Sequence, residues 1–398
     1  MVPRQFMIVA GEPSGDLLAA DLVRALQIEL PAGDHEGAAG QPLHASLEPR
    51  FFGAGGPAMA AAGVELLFDL TQHAVVGLSD ALRQILTFRR LLLRLVRAAV
   101  ERQPHAIICV DYSGFNLRLA AAIQGQVNQH KAPFRNWNPR IIQFVSPQVW
   151  ASRPGRARKL ARNVDLLLTI FPFEKDWYAQ RVPELKVKFV GHPIIDRYAA
   201  FRERERPREP GRLVVLLPGS RIGELRRHVP AMGAAARLIG KASKAMVLPN
   251  AELATVAQKL LPPGSDVQVH VGNLPELLSR ADLAIAATGT VTMECAYFGV
   301  PTIAMYKTSR LTYEIGKRII QVKYLSMPNL LADEALFPEF VQDAATPENL
   351  ARAANDLLAN DARRAEIGKK LPQVIAKLGP PGASRRAAQA ITSLLSNR

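Results

Sequence analysis

Asp111 is the side chain in this sequence whose type and position best suit acid–base chemistry. It follows the apolar run AIICV (106–110), which has the continuous hydrophobic pattern of a strand buried on both faces. Open α/β sheets place their ligand crevices at the carboxyl ends of such strands, where a carboxylate can act as general base towards a hydroxyl. The alternative is that Asp111 caps the helix predicted to begin near Phe115.

A second candidate site lies in LLPGSRIGEL (216–225), where a strand-like run leads into a glycine turn and a helical pattern. Gly219 and Ser220 offer backbone N–H groups, which bind anions at the start of a helix. Arg221 adds a planar guanidinium suited to bidentate contact with a diphosphate. These three residues predict a phosphate site, and the alternative is an ordinary surface arginine.

The segment AATGTVTMECAYFGVP (286–301) predicts another strand, a turn of small residues and a helix. Gly289 and Thr290 would allow a ligand to approach the backbone closely. We expect Glu294 in the first turn of that helix, where its carboxylate could accept both hydroxyls of a ribose. The alternative role for Glu294 is a favourable interaction with the helix dipole.

The first glycine turn of the chain, GEPSGD (11–16), also lies between an apolar run and a helical pattern. Its residues Glu12, Ser14, Gly15 and Asp16 predict a ligand loop at a helix N-terminus. The alternative is a tight turn in which Ser14 or Asp16 caps the helix. A second glycine cluster, GAGGPAMAAAG (53–63), has the same two alternatives.

Composition and spacing exclude several classes of protein. The eight histidines show no HxH, HExxH or His–Cys spacing, so no metal site is predicted. There is no dinucleotide fingerprint, P-loop or GxSxG motif, and no cofactor is predicted. The net charge of +15 indicates anionic partners such as phosphorylated ligands, nucleic acid or an acidic membrane. No nucleic-acid recognition module accompanies the charge, so nucleic acid is not expected.

The arginines are concentrated in the segment 81–103, ALRQILTFRRLLLRLVRAAVERQ, which has leucines at helical spacing. Such a basic amphipathic helix predicts contact with an anionic membrane surface. The alternative is a helix with its leucines in the core and its arginines in solvent. No run reaches the ~18 uncharged apolar residues that a membrane-spanning helix requires, and the N-terminal apolar run is too short for a signal peptide.

Two series of short apolar runs, separated by helical patterns, must position these residues. The first series ends near His192 and the second begins near Arg212, with a polar, proline-containing stretch between them. Buried strands that alternate with helices predict parallel sheets with right-handed crossovers. We therefore predict two doubly wound α/β domains, 1–200 and 213–360, facing each other across a cleft, with a linker at 201–212 and C-terminal helices at 361–398. Two cysteines in apolar runs exclude a disulfide framework and favour a reducing compartment.

The chain resembles the lipid-A-disaccharide synthases, which are GT-B type glycosyltransferases, over essentially its whole length. The resemblance rests on eight motifs in the family's order: AGEPSGD, GAGGPAMAAAG, VSPQVWASRPGRARKL, FPFEKDWY, FVGHP, LLPGSRIGEL, ATGTVTMECAYFGVPTIAMYKTS and VKYLSMPNLLA. It implies two Rossmann-like domains, the N-terminal one for the acceptor and the C-terminal one for the nucleotide.

The same resemblance implies a reaction and its partners. The family transfers a 2,3-diacylglucosaminyl unit from UDP to 2,3-diacylglucosamine 1-phosphate, which releases UDP and forms a β-1,6 disaccharide. The transfer is inverting and uses no metal or cofactor. The expected partners are UDP-diacylglucosamine, the acylated monosaccharide phosphate and the anionic surface of the inner membrane, to which the cytoplasmic protein would bind peripherally. An oligomer is possible.

The resemblance also assigns roles to individual residues. Asp111 matches the family's proposed general base for the acceptor hydroxyl. Arg221 matches the arginine at the UDP site, and Asn329 in SMPN matches another residue of that site. Glu294 falls where such folds hold the nucleotide ribose, and His192 in FVGHP is a weaker candidate in the cleft.

Three departures from the family pattern lie in the acceptor half. DYSGFN replaces the common DxPDFN, so that Gly114 stands in place of an aspartate. Asp80 ends VVGLSD where a glutamate is common, and Trp150 is followed by Ala151 and Ser152 in place of VWAW. The nucleotide half matches. The alternatives are therefore a related glycosyltransferase with a different lipid acceptor, or a UDP-sugar epimerase-like enzyme.

Overall fold

A computed structural model of the chain describes residues 4–30, 48–73, 81–129, 137–202 and 212–396. The motif residue Asp80 and positions 203–211 of the predicted linker lie outside this part of the chain. The chain divides into two compact units. Unit 1 comprises Met1–Pro193 and Pro381–Arg398, and unit 2 comprises Ile194–Pro380.

The described residues of unit 1 form a seven-stranded parallel sheet. Its strands are β1 (Gln5–Ala10), β2 (Arg50–Gly55), β3 (Val64–Asp69), β4 (Ala106–Val110), β5 (Arg140–Phe144), β6 (Leu166–Thr169) and β7 (Val187–Phe189). They lie in the order β3-β2-β1-β4-β5-β6-β7. The strand order therefore reverses between β1 and β4, where doubly wound folds bind their ligands.

Seven helices connect these strands in the described part of unit 1. They are α1 (Pro13–Glu29), α2 (Pro57–Ala61), α3 (Ala81–Arg102), α4 (Ser113–Gln129), α5 (Val149–Ser152), α6 (Ala157–Asn163) and α7 (Pro172–Ala179). All five residues of β4 are inaccessible to solvent. Since successive side chains of a strand point to opposite faces, helices must cover this sheet on both sides, which explains its continuous apolar runs.

Unit 2 repeats this architecture with six parallel strands in its described residues. The strands are β8 (Leu213–Leu217), β9 (Ser243–Leu248), β10 (Val267–Val271), β11 (Leu283–Ala287), β12 (Thr302–Tyr306) and β13 (Glu339–Val341). Their order is β10-β9-β8-β11-β12-β13, with the reversal between β8 and β11. The predicted α/β class with two doubly wound parallel sheets is confirmed.

The helices of unit 2 include one short pair before its first strand. In order they are α8 (Ile194–Arg197), α9 (Ala199–Arg202), α10 (Ile222–Leu238), α11 (Ala251–Leu260), α12 (Leu274–Arg280), α13 (Thr290–Tyr297), α14 (Arg310–Ile319), α15 (Met327–Ala332), α16 (Pro347–Ala359) and α17 (Asp361–Ala376).

The units differ from the predicted domains at both boundaries. The first boundary falls after Pro193 and not in the polar stretch 201–212, because α8 contacts α13 of unit 2. The C-terminal helices do not form one group either. The last helix, α18 (Ala383–Ser396), packs against α1 of unit 1, where Arg385 pairs with Glu29 at 2.9 Å.

Helix α3 has apolar side chains on both a buried and an exposed face, and its contact with a membrane stays a prediction. Leu95 and Ala99 are inaccessible and pack in the core of unit 1. The opposite face exposes Leu86 and Leu93, about half of each side chain, among exposed arginines that include Arg90. Within the described residues, no helix is long and apolar enough to cross a membrane.

Candidate functional site

Asp111 lies directly after β4, at the centre of the sheet's carboxyl edge. Both Asp111 and Tyr112 have left-handed backbones, with φ of 49° and 40°. Residues other than glycine rarely adopt this backbone conformation. It costs about 1–3 kcal/mol per residue and is found preferentially at functional sites. The turn directs the chain into α4, whose first residue is Ser113.

Two buried amides hold this strained turn in place. The Asn116 Nδ2 group donates to the carbonyl oxygens of Asp111 at 2.9 Å and Val110 at 3.2 Å. The Gln143 Nε2 group donates to the Asp111 carbonyl and to that of Val145, both at 3.2 Å. Asn116 is inaccessible to solvent and Gln143 is 1% exposed. The backbone that carries the Asp111 carboxylate is therefore fixed from both sides.

Aromatic rings surround the same turn. Tyr112 lies against Phe115, with ring centroids 5.8 Å apart, and Phe88 of α3 lies 6.4 Å from Tyr112. A Cβ atom added to Gly11 would collide with the Tyr112 ring. Gly11 is therefore required because the first loop and the Asp111 turn approach each other here. Phe88 of α3 therefore packs against the turn that carries the candidate base, Asp111.

The structure gives Asp16 a different role from the predicted ligand loop. Asp16 is 3% exposed and accepts hydrogen bonds from the backbone N–H groups of Gly56 (2.8 Å), Ala58 (2.9 Å) and Met59 (3.1 Å). It thereby caps α2, and not α1 as the capping alternative expected. Because these N–H groups of the second glycine cluster already bind Asp16, they do not form an anion site.

The other residues of the first loop lie at the start of α1. Glu12 is the N-cap residue of α1 and makes no side-chain capping bond, while Ser14 is exposed. Gly15 is buried, and a Cβ atom there would contact the Asp111 Cβ at 3.6 Å. Since β1 pairs with β4, the loops that follow these two strands lie at the same edge of the sheet, and Gly15 is next to Asp111.

A buried polar cluster beside this site was not identified as functional from the sequence. Glu174 in α7 is 1% exposed and accepts hydrogen bonds from Trp150 Nε1 at 3.0 Å and from the Phe171 N–H at 3.1 Å. Burial raises the pKa of the Glu174 carboxyl to about 7, against the opposing effect of these donors. Ser146 and Tyr178 complete the cluster through a hydroxyl pair at 3.0 Å. The signals in the sequence were two family motifs, VSPQVWASRPGRARKL with Ser146 and Trp150, and FPFEKDWY with Glu174 and Tyr178.

His192 lies close to this cluster. It is 6% exposed and its ring centroid is 5.3 Å from that of Phe171, so little of the imidazole is open to a ligand. Gly114, which replaces the family's aspartate, is exposed, and a Cβ atom there would meet no atom within 4 Å. The substitution therefore leaves open space in the first turn of α4.

The predicted phosphate loop of unit 2 lies after β8, before α10. Gly219 has φ of +114°, which favours glycine, and the Ser220 N–H donates to Glu224 Oε2 at 3.0 Å. Arg221 is the N-cap residue of α10, and its side chain is 59% exposed with Nη1 3.5 Å from Glu224 Oε1. The loop thus presents an exposed guanidinium. Glu224, which sequence reasoning missed, orders the loop from the first turn of α10.

A buried histidine fixes this loop to the sheet. His228 is inaccessible, with Nδ1 2.7 Å from the Pro218 carbonyl oxygen. Its Nε2 accepts a hydrogen bond from the Lys307 N–H at 3.1 Å. Burial lowers the pKa of His228, so the neutral ring is favoured. The His228 side chain therefore connects the loops that follow β8 and β12.

The second segment that was predicted to contact the nucleotide begins at the exposed turn after β11. Gly289 has φ of +147° and precedes Thr290, the first residue of α13, and both residues are exposed. Glu294 is the fifth residue of α13, so it lies in the second turn and not in the first as predicted, because the helix begins only at Thr290. Since β11 pairs with β8, this turn and the Arg221 loop share one edge of the sheet.

The Glu294 carboxylate already has a partner in the structure. The Tyr198 hydroxyl donates to Glu294 Oε1 at 2.6 Å, and Arg197 Nη1 lies 3.8 Å from the same oxygen. Burial raises the pKa of Glu294, although the Tyr198 hydrogen bond and the Arg197 charge oppose the shift. Tyr198 and Arg197 are further residues that the sequence motifs did not indicate.

The geometry does not favour a direct nucleotide contact by Asn329. This residue is inaccessible to solvent. Its Oδ1 accepts from the Phe337 N–H at 2.8 Å, and its Nδ2 donates to the Phe337 carbonyl at 2.8 Å and to Glu339 Oε1 at 2.9 Å. Glu339 also accepts from the Ser326 hydroxyl at 2.7 Å. Asn329 therefore holds α15 against β13, because both polar groups of its side chain are used inside the protein.

Within the described ranges, no group of three or more His, Cys, Asp or Glu side chains could hold a metal ion. The site residues thus form two sets, one at the carboxyl edge of each sheet. Unit 1 gathers the Asp111 turn, the first loop and the Glu174 cluster, and unit 2 gathers the Arg221 loop, the Gly289 turn and Glu294.

Comparison with solved structures identifies the fold. MurG from Acinetobacter baumannii superimposes with a TM-score of 0.54 at 15% identity, covering 98% of this chain and 99% of that one. UDP-GlcNAc 2-epimerase from Neisseria meningitidis, bound to UDP-GlcNAc, gives a TM-score of 0.54 at 11% identity, covering 99% and 100%. Glycosyltransferases of the GT-B type and epimerases share this fold.

Comparison with known sequences is more specific. The family model described as lipid-A-disaccharide synthetase matches residues 6–394. The lipid-A-disaccharide synthase of Myxococcus xanthus is 33% identical over 404 residues, covering 99% of this chain and 98% of the relative. That of Trichlorobacter lovleyi is 35% identical over 407 residues, with the same coverage. The chain therefore belongs to the lipid-A-disaccharide synthetase family.

Proposed function

We propose that this glycosyltransferase moves a 2,3-diacylglucosaminyl unit from UDP to 2,3-diacylglucosamine 1-phosphate, forming a β-1,6 disaccharide and releasing UDP. Family membership supports lipid A disaccharide formation. The observation that carries the chemistry is the strained turn at Asp111, held by Asn116 and Gln143 at the switch point of the unit 1 sheet. Such strain is maintained where a side chain must have one fixed direction.

Asp111 acts as the general base in this mechanism. The acceptor's primary hydroxyl is a weak acid, so its proton must leave as the oxygen attacks the anomeric carbon. The Asp111 carboxylate takes that proton while the new C–O bond forms. The bond between the anomeric carbon and the diphosphate oxygen breaks, and its electron pair leaves with UDP. Attack from the side opposite UDP inverts the anomeric centre.

The unit 2 edge binds the nucleotide and stabilises its charge as it leaves. Arg221 contacts the diphosphate, helped by the backbone N–H groups in the first turns of α10 and α13. Glu294 accepts hydrogen bonds from the ribose hydroxyls, with Tyr198 fixing the direction of its carboxylate. Asn329 supports this edge from inside, and the reaction uses no metal or cofactor.

The first loop completes the acceptor side in this proposal, and the buried His192 supports it from within the unit. Ser14 is exposed in the first turn of α1, and in this proposal it contacts polar groups of the acceptor together with Glu12. The protein binds peripherally to the anionic surface of the inner membrane, on its cytoplasmic side. The outer face of α3, where Leu86 and Leu93 lie among arginines, supports this assignment.

A direct assay tests the reaction. Purified protein is incubated with UDP-diacylglucosamine and 2,3-diacylglucosamine 1-phosphate in the presence of EDTA, and lipid products are analysed by mass. We expect an acylated disaccharide phosphate and one UDP for each product molecule. UDP or an epimerised sugar nucleotide formed equally well without acceptor would favour the epimerase alternative, and loss of activity with EDTA would overturn the metal-free mechanism.

A further inference from the structure

Helix α14 of unit 2 differs from the other described helices of comparable length. Among those of eight residues or more, it alone buries no residue. Leu311 is 73% exposed and Ile315 is 51% exposed. A soluble helix normally turns such residues towards the core. The apolar side chains of α14 are therefore available to another surface.

The exposed residues of α14 have a definite arrangement. At 100° per residue, Leu311, Ile315 and Arg318 fall within about 60° of one another on the helix. Arg310 and Lys317 lie along one side of this stripe, and both are exposed, as is Arg318. Glu314 is the one acidic residue of the helix. The face therefore combines two large aliphatic side chains with three cations and the exposed Glu314, which lies between the stripe and the side of Arg310 and Lys317.

The position of α14 connects this face to the nucleotide edge. The helix follows the carboxyl end of β12, which pairs with β11, and β11 pairs with β8. Loops from the ends of β11 and β8 carry Gly289 and Arg221. The donor in the proposed function bears acyl chains on the sugar next to its diphosphate. An apolar, cationic surface at this edge therefore lies near the acyl chains of the proposed donor, which belong in the bilayer.

We propose that α14 is a bilayer-binding surface of unit 2, separate from α3, and this inference rests on the proposed function. Leu311 and Ile315 enter the boundary between headgroups and acyl chains, while Arg310, Lys317 and Arg318 contact anionic headgroups. Charge complementarity favours this occupant. A second protein copy fits less well because charged residues are depleted from the centres of protein interfaces, whereas Arg318 lies on the same stripe as the two aliphatic side chains, one turn after Ile315.

Vesicle binding by the full-length protein tests the proposal. The vesicles are phosphatidylcholine with or without phosphatidylglycerol, at low and high salt. The charge variant is Lys317→Glu with Arg318→Glu, and its control is Lys259→Glu with Lys369→Glu, which reverses two exposed charges elsewhere on unit 2. The apolar variant is Leu311→Ser with Ile315→Ser. Its control is Leu238→Ser with Val271→Ser, at side chains 52% and 49% exposed.

We expect each α14 variant to bind the anionic vesicles at least about tenfold more weakly than wild type, with the charge effect lost at high salt. The controls should bind nearly as wild type, and UDP affinity should not change in any variant. Wild-type vesicle binding by both α14 variants would overturn the proposal. A change of oligomeric state in the apolar variant, with vesicle binding unchanged, would also overturn it in favour of a second copy.

Two further measurements separate this inference from the proposed function. An α3 variant, Arg89→Glu with Arg90→Glu, reports on the other membrane surface. If it loses vesicle binding while the α14 variants keep it, the α14 inference fails and the membrane association stands. If wild type binds vesicles through α14 but forms no disaccharide from the acylated substrates, the proposed reaction fails and the α14 surface stands.

Discussion

The side-chain amide of Asn116 donates a hydrogen bond of 2.9 Å to the main-chain carbonyl of Asp111. Gln143 donates to the same oxygen from the neighbouring strand at 3.2 Å. Both of these side chains are buried. The direction of the Asp111 carboxylate therefore depends on two buried residues, and catalysis should be sensitive to side chains that do not touch either substrate.

Asn116→Ala removes one side of this support. A base displaced by about an ångström typically loses up to a hundredfold in rate, so we expect turnover to fall at least about tenfold. UDP affinity should stay unchanged because the proposed nucleotide site lies in unit 2. Thr169→Val is the control, since it removes a buried hydroxyl of unit 1 that bonds neither to the Asp111 backbone nor to the Glu174 cluster. Equal turnover of the two variants, measured on folded protein, would refute a positioning role.

Arg221→Ala should weaken UDP binding. The exposed guanidinium can form charge-assisted hydrogen bonds to a diphosphate, each worth roughly 1.5–3 kcal/mol, which corresponds to about ten- to over a hundredfold in affinity. Arg226→Ala, at an exposed arginine further along α10, provides the control. Calorimetry without added metal measures both. The diphosphate assignment is wrong if the two variants bind UDP equally well.

Glu294 should distinguish a ribose from a deoxyribose. If its carboxylate accepts from the ribose hydroxyls, UDP should bind at least about tenfold more tightly than 2′-deoxy-UDP, given the strength of hydrogen bonds to charged groups. Glu294→Ala should reduce this difference, and Tyr198→Phe should reduce it in part because Tyr198 directs the carboxylate. A preference for UDP that persists in Glu294→Ala would place the ribose elsewhere.

Glu174 should make unit 1 less stable at alkaline pH. Burial raises the pKa of Glu174 in the folded protein to about 7, above its ordinary value of 4.5, so its contribution to the free energy of unfolding is greatest below pH 4.5 and is lost as pH rises through 7. The difference corresponds to about 3 kcal/mol. Between pH 5 and pH 8, the free energy of unfolding should therefore decrease less for Glu174→Gln than for wild type, as measured by denaturant unfolding. If the free energy of unfolding changes equally with pH in both proteins, burial does not raise the pKa of this carboxyl.

The position of Asp111 at a strand end could be predicted from the sequence because its apolar run is continuous and local. The left-handed backbone could not, since it depends on Gln143, which approaches only when β5 pairs with β4. The capping role of Asp16 could not be predicted either, and Asp16 was assigned to a ligand loop. Its capping partners lie about forty residues away in the chain, and no local pattern connects them.

The nucleotide edge was predictable to a similar depth. The glycine turn and Arg221 lie in one short motif, and the structure places them at the end of β8 as expected. Asn329 was assigned from motif position alone, without information about the Glu339 carboxylate that holds it inside the unit. The split of the C-terminal helices was also hidden, because α18 has the same amphipathic pattern whichever unit it contacts.

Asp111→Asn tests the central claim most directly. The substitution keeps the size of the side chain but removes its ability to take a proton, and no other carboxylate lies in the turn DYSGFN. We predict a loss of turnover of about a hundredfold or more under saturating substrates, with unchanged UDP affinity and unchanged unfolding behaviour. Near-normal turnover in this variant would contradict the account, since the proton of the acceptor hydroxyl would then be taken by another group.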